Sequence, residues 1–182
     1  LLYHVLAPLT ITLDALAPER GTGSGGIFVQ KDDREVPDTF MMNLDYPDDY
    51  TVVMTSSMAN QQGLPLMIRG HFGTIYRGDQ GALRAVAEPQ FTEWFKKEHG
   101  AEEIIIPAEP RPDHMSNWLA CIRTREQPHL DADTACRAMI GIRMGVDAYI
   151  KDQVIFWDNA KERFVDSHPR PHRDAKSPVE KS

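Results

Sequence analysis

The sequence is short of several things, and each shortage removes a class of protein. Only two cysteines occur among 182 residues, Cys121 and Cys136, both in segments with helical periodicity. A disulfide framework or a cysteine zinc site is therefore not indicated, and two buried, reduced thiols are expected. No apolar run reaches the roughly 18 residues of a membrane-spanning helix. No G-x-S-x-G elbow and no P-loop are present, so serine-hydrolase and NTPase chemistry lack support. Positive charge is in deficit, with 20 Lys and Arg against 27 Asp and Glu and a formal charge of -7. That balance opposes a broad phosphate-binding surface, and hence nucleic acid as the main partner.

An initiator Met is missing too, and the chain opens in mid-pattern at Leu1-Leu2-Tyr3-His4-Val5-Leu6. It reads as a piece of something longer. Any targeting signal would lie at the missing end, so cytoplasm and periplasm both stay open. What is present is ordinary for one globular domain: 41% hydrophobic and 26% charged residues, enough to build a core without staples.

Leu2, Val5, Leu6, Leu9, Leu13 and Leu16 recur at three- and four-residue steps and predict a first helix with one buried stripe. Pro8 cannot donate to the carbonyl of His4, so the helix must kink there or begin there, and the backbone around His4 is expected to be irregular. Pro18 and the run Gly21-Thr22-Gly23-Ser24-Gly25-Gly26 end it, and Ile27-Phe28-Val29 reads as a strand. Period two then takes over. Phe40, Met42, Leu44 and Tyr46 alternate with Thr39, Met41, Asn43 and Asp45, Pro47-Asp48-Asp49 turns the chain, and Tyr50, Val52 and Met54 alternate with Thr51, Val53 and Thr55 in return, which predicts a hairpin.

Short strands follow at residues 66–69, 74–76, 83–86 and 104–106, joined by connections short enough for antiparallel neighbours. Residues 91–95 fit a short helix or a loop. Met115, Trp118, Leu119 and Ile122 predict a helix capped by Asp113. Asp131 opens a longer one with Ala135, Met139, Ile142, Val146 and Tyr149 on its buried stripe. Both helices are expected to cover the sheet, with Gly141 and Gly145 serving tight packing. A last strand covers 154–157. Residues 166–182, with three prolines among charges, are expected to be a disordered tail. The fold class is α+β, with a large open, mostly antiparallel sheet and helices on one face, spanning residues 1–165.

The glycine run satisfies G-x-G-x-x-G through Gly21, Gly23 and Gly26. A dinucleotide fingerprint, however, leaves a strand and opens a helix whose N–H groups hold the pyrophosphate. Here the glycines leave a helix, so a flexible connector is the better reading. Seven histidines stand at 4, 71, 99, 114, 129, 168 and 172, none at zinc-site spacing, so no metal is expected. His71, between glycines, reads as a solvated turn residue. His4 has the pKa range for proton transfer, although composition alone favours a core or capping role.

The runs Gly25-Gly26-Ile27-Phe28-Val29, Arg34-Glu35-Val36-Pro37-Asp38-Thr39-Phe40, Tyr46-Pro47, Ile68-Arg69-Gly70-x-x-Gly73-Thr74, Asn117-Trp118-Leu119-x-Cys121-Ile122-Arg123 and Trp157-Asp158 occur in an order and spacing that carry weight together. From about Leu1 to Val165 the chain resembles the C-terminal domain of Gfo/Idh/MocA oxidoreductases. The resemblance implies an absent N-terminal Rossmann half that binds NAD or NADP, and a present half with an open sheet for substrate and often for oligomer contacts. Members often carry Asp-x-x-x-His, whose His is the proposed acid/base for a substrate hydroxyl. His4 matches that His, and the Asp would lie one residue before Leu1.

The family's Glu-Lys-Pro lysine would also lie outside the chain. The implied reading is a substrate and oligomerisation domain of an NAD(P)-dependent oxidoreductase acting on a sugar or polyol. NAD-dependent glycoside hydrolysis and a non-catalytic oligomeric scaffold are the alternatives. The chain alone is expected to bind no dinucleotide and to turn nothing over. Thr39, Met41, Asn43, Thr51, Val53 and Thr55 are the outward sheet residues that would meet a second copy.

Overall fold

The computed structural model describes residues 2–170. Along the chain run α1 (Tyr3–Thr12), β1 (Arg20–Gly26), β2 (Thr39–Asp45), β3 (Thr51–Ser57), β4 (Met67–Arg69), β5 (Gly73–Arg77) and β6 (Leu83–Ala87). Then come α2 (Thr92–His99), β7 (Glu103–Ile106), α3 (His114–Thr124), α4 (Ala132–Lys151), β8 (Ile155–Asp158) and β9 (Arg163–Val165). The class is α+β. The strands divide between two open sheets, ordered β3-β2-β1-β8-β9 and β4-β5-β6-β7, and every pairing is antiparallel. Two compact units result, one from the residues up to Gln61 with those from Ala120 onward, the other Gln62–Leu119. No helix among the described residues is long and apolar enough to cross a membrane.

In the first unit the hairpin forms as its period predicts. Phe40, Met42, Leu44 and Met54 turn inward, while Met41, Asn43, Val53 and Thr55 turn out. Met42 pairs with Met54 on one side and Gly23 on the other. The glycine run is where the sequence reading fails. It is no flexible connector but β1, the middle strand of the five, and Ile27-Phe28-Val29 is not a strand. Glycine has neither β-propensity nor a side chain to show a period, so nothing local marks it as a strand.

The reason for those glycines is α4, which lies on β1. A Cβ on Gly21 would stand 2.7 Å from the Cβ of Met144, and one on Gly23 would strike the carbonyl oxygen of Gly145. The tight packing expected of Gly141 and Gly145 is therefore present. The buried face of α4 is not the predicted stripe, however. Ala138, Gly141, Met144, Gly145 and Ala148 face the sheet, while Met139 and Val146 are exposed. Small residues let helix and strand backbones approach; of the predicted stripe Met139 and Val146 are left outside, while Ile142 and Tyr149 pack part-buried against the core. Asp131 caps this helix as expected, accepting the N–H of Thr134 at 2.9 Å.

α1 packs on α4 through Leu6 and Ala7, with Leu2, Val5 and Leu9 beside the core. Pro8 sits inside the helix on its exposed side, and the backbone at His4 is helical and does not precede the helix. The helix stops at Thr12, which leaves Leu13 and Leu16 exposed and outside the predicted stripe. β9 carries no period of its own in the sequence; it pairs with β8, and Trp157 opposes Phe164. Of the expected tail, residues 171–182 lie outside the described residues. Residue Arg170 is pinned, pairing with Glu19 and donating to the carbonyl oxygen of Pro47 at 2.8 Å.

In the second unit the four predicted strands form within a residue or two of expectation, and residues 92–99 are a helix. Phe95 of α2 is its largest buried side chain. Asp113 caps α3, accepting the N–H of Ser116 at 3.0 Å. The predicted apolar stripe of α3, a helix that runs from the second unit into the first, is not buried: Met115, Trp118, Leu119 and Ile122 are all exposed.

Candidate active site

His4 stands in the first turn of α1, on the outward side shared with Pro8 and Ile11, all three exposed. Its own neighbour Tyr3 meets it edge to face at 6.2 Å between ring centroids. The core and capping roles that composition favours do not apply. The ring is open to solvent, and the helix beneath it is anchored by Leu6 and by Thr10, whose buried hydroxyl donates to the carbonyl oxygen of Leu6 at 2.9 Å. An imidazole so placed is free to accept or donate a proton to a group arriving from outside.

The other histidines are engaged differently. His71 is not merely a solvated turn residue, because its ring lies 4.9 Å from Phe72 and 4.8 Å from Phe91 in an aromatic cluster that also takes in Trp94. His99 lies 4.5 Å from Phe95, and His168 lies 5.8 Å from Phe156. His172 is outside the described residues. No three His, Cys, Asp or Glu among the described residues gather as a metal site would require. Cys121 is buried, but Cys136 is exposed, against the expectation of two buried thiols; neither is in a disulfide.

The glycine run does not fit a pyrophosphate. Its backbone pairs with β2 along its whole length and with β8 at its start, so its amides belong to a sheet and no helix N-terminus follows them.

The open face of the five-stranded sheet is the other surface of note. Thr22, Ser24, Met41, Asn43, Val53 and Thr55 line a shallow cleft of about 250 Å³. Asn43 Nδ2 donates to Thr22 Oγ1 at 3.4 Å, and Arg20 pairs with Asp45 at 2.8 Å along the same face. Val53 is 67% exposed and Met41 49%. At the hairpin turn Tyr46 and Tyr50 stack at 4.7 Å. Burial, then the Asp48 charge, pushes the Tyr50 phenol up to about 12, so it stays protonated and acts by packing.

No family model matches the chain, and no curated protein does either. Solved structures do match. An NAD-binding protein from Listeria innocua superposes with a TM-score of 0.61 at 14% identity, over 85% of this chain and 49% of its own. An oxidoreductase from Agrobacterium radiobacter, in complex with NAD+, L-tartaric acid and magnesium, gives 0.60 at 14% identity, over 86% and 47%. An aldose-aldose oxidoreductase from Caulobacter crescentus, complexed with glycerol, gives 0.61 at 17% identity, over 85% and 45%. The chain has the fold of about half of each of these proteins. This is the fold that the Gfo/Idh/MocA resemblance implies, and at these identities the fold is what is shared. The chain spans about half the length of the structures it matches.

One further residue organises the first unit without any motif to mark it. Asp38 is buried and accepts hydrogen bonds from three successive backbone N–H groups. Its signal is faint, an Asp after Pro at the start of a strand.

Proposed function

We propose that this chain is the substrate-side domain of an NAD(P)-dependent oxidoreductase acting on a sugar or polyol hydroxyl, with His4 as its acid/base. The observation that carries the reading is the shared fold with half of NAD-binding proteins, together with a solvent-open imidazole at the position the Asp-x-x-x-His pattern marks. The chain's glycine run offers no seat for a pyrophosphate, so the dinucleotide is assigned to another part of the parent protein. A bound nicotinamide supplies the hydride acceptor. His4 supplies the other half of the bookkeeping: its neutral imidazole takes the O–H proton as the carbinol becomes a carbonyl.

The test uses the parent chain with its cofactor-binding half, NAD or NADP and a panel of sugars and polyols, followed by cofactor absorbance. His4→Ala is expected to lower kcat/KM by about 10²- to 10⁴-fold without moving the unfolding midpoint, since the side chain is exposed. Unchanged turnover in His4→Ala would remove His4 from the chemistry. Cleavage of glycosides without net cofactor reduction would move the assignment to the hydrolase branch.

The open sheet face supports a second role, contact with another copy of the chain. Met41 and Val53 project between hydroxyl and amide side chains there, a mixture that suits a surface alternately wet and covered.

A further inference from the structure

The loop between β1 and β2 is built around one side chain. Asp38 is 2% exposed, and Arg34, ion-paired with Asp32, acts on it through its charge and not as a hydrogen-bonded partner. A buried carboxylate persists only where hydrogen bonds replace its water. Here Oδ2 accepts the N–H groups of Phe28 (3.0 Å), Val29 (2.7 Å) and Gln30 (2.7 Å), and Oδ1 accepts the hydroxyl of Thr39 at 3.0 Å. The Asp38 backbone closes the junction, its N–H donating to Gly26 and its carbonyl oxygen accepting from Met58.

Three successive amides converging on one oxygen is the arrangement proteins use to hold anions. Two of the three residues so fixed, Phe28 and Val29, are apolar and face water, with Ile27 beside them: Ile27 and Val29 are exposed, and Phe28 is 62% exposed. The Phe28 ring folds back over Gly26, where a Cβ would stand 2.7 Å from its Cζ. Apolar side chains gain by leaving water, so holding them out requires a constraint stronger than their own preference.

We propose that the amides of Phe28, Val29 and Gln30 form an anion-binding nest that the Asp38 carboxylate fills from within the chain, and that this internal anion holds Ile27–Val29 as a pre-formed, solvent-facing apolar tip. The element has two arrangements. With the nest filled the tip is presented; with it empty the three amides are solvated and the tip is released to collapse.

Amide hydrogen exchange on the whole chain tests this in the wild type, Asp38→Asn and Asp38→Ala. Residues 28–30 are expected to be protected in the wild type and to exchange at least about tenfold faster in both variants, as the loss of charged hydrogen bonds requires. The amides of Met42 and Leu44 serve as the internal control for folding. Formate is expected to restore protection in Asp38→Ala, while chloride at equal ionic strength does not. Full protection in Asp38→Asn, or no rescue by formate, overturns the proposal. Should either variant fail to fold, the wild type decides by acid titration. The amide shifts of 28–30 should move together with the Asp38 carboxyl carbon, and a carboxyl that titrates while those amides stay still overturns it.

Discussion

At the scale of single residues, carboxylates set the local order, and each has its own cause. Backbone amides, that of Gln30 foremost, bring the Asp38 carboxyl down to about 2. Around it stand Thr39, the ion-paired Asp32 and Arg34, and Met58. A folded-state value below the unfolded one means a contribution present in full above the ordinary aspartate range of about 4, and lost as pH falls toward about 2. Acid titration followed by exchange at residues 28–30 is expected to show release in that window. Arg170 offers a second case. Its guanidinium is the ion partner of Glu19, a side chain 9% exposed, and is itself 42% exposed. Arg170→Ala should cost about 1–3 kcal/mol in urea unfolding, less than a fully buried pair because solvent already reaches the arginine.

At the scale of elements, helix α4 on strand β1 is the contact that the first unit depends on. Gly23→Ala would press a methyl against the Gly145 carbonyl oxygen, and overpacking of this kind costs about 1–3 kcal/mol or more. Gly63→Ala, where a Cβ would meet nothing within 4 Å, should be neutral or raise stability by up to about 1 kcal/mol. Comparing the two urea midpoints separates close approach from glycine's general flexibility. The same contact explains why the periodicity of α4 misled. A stripe of Ala and Gly carries no hydrophobic signal, whereas Met139, Ile142 and Val146 do, yet what seats a helix on a glycine strand is smallness.

At the scale of the whole molecule, the open face of the five-stranded sheet and the helix-covered face opposite it divide the work. Residues on the first alternate strictly with the core residues Phe40, Met42 and Leu44, so substitutions there leave the core alone. If this face joins copies of the chain, a double change of Met41→Glu and Val53→Glu is expected to lower the sedimentation mass without lowering the unfolding free energy by more than about 0.5 kcal/mol per site. A mass unchanged by both charges would place any assembly elsewhere. His4 lies on α1, which packs on α4, so the proposed proton chemistry and the proposed copy contact belong to opposite sides of the sheet.

Local rules determined the α+β class, the hairpin and its inward Phe40, Met42 and Leu44, the Asp113 and Asp131 caps, and the short antiparallel strands of the second unit. Each depends on neighbours within a few positions, where period, turn chemistry and capping act. Apolar neighbours and the nearby Pro8 mark His4 out among the histidines, but only the resemblance assigns it a role. Tertiary structure alone decided that a glycine run is the central strand, because only the nearness of α4 makes a missing Cβ an advantage. It also decided that the α3 stripe is exposed and that His4 faces water. Asp38 gathers amides eight to ten positions away, a convergence that exists only once the loop has closed around its charge.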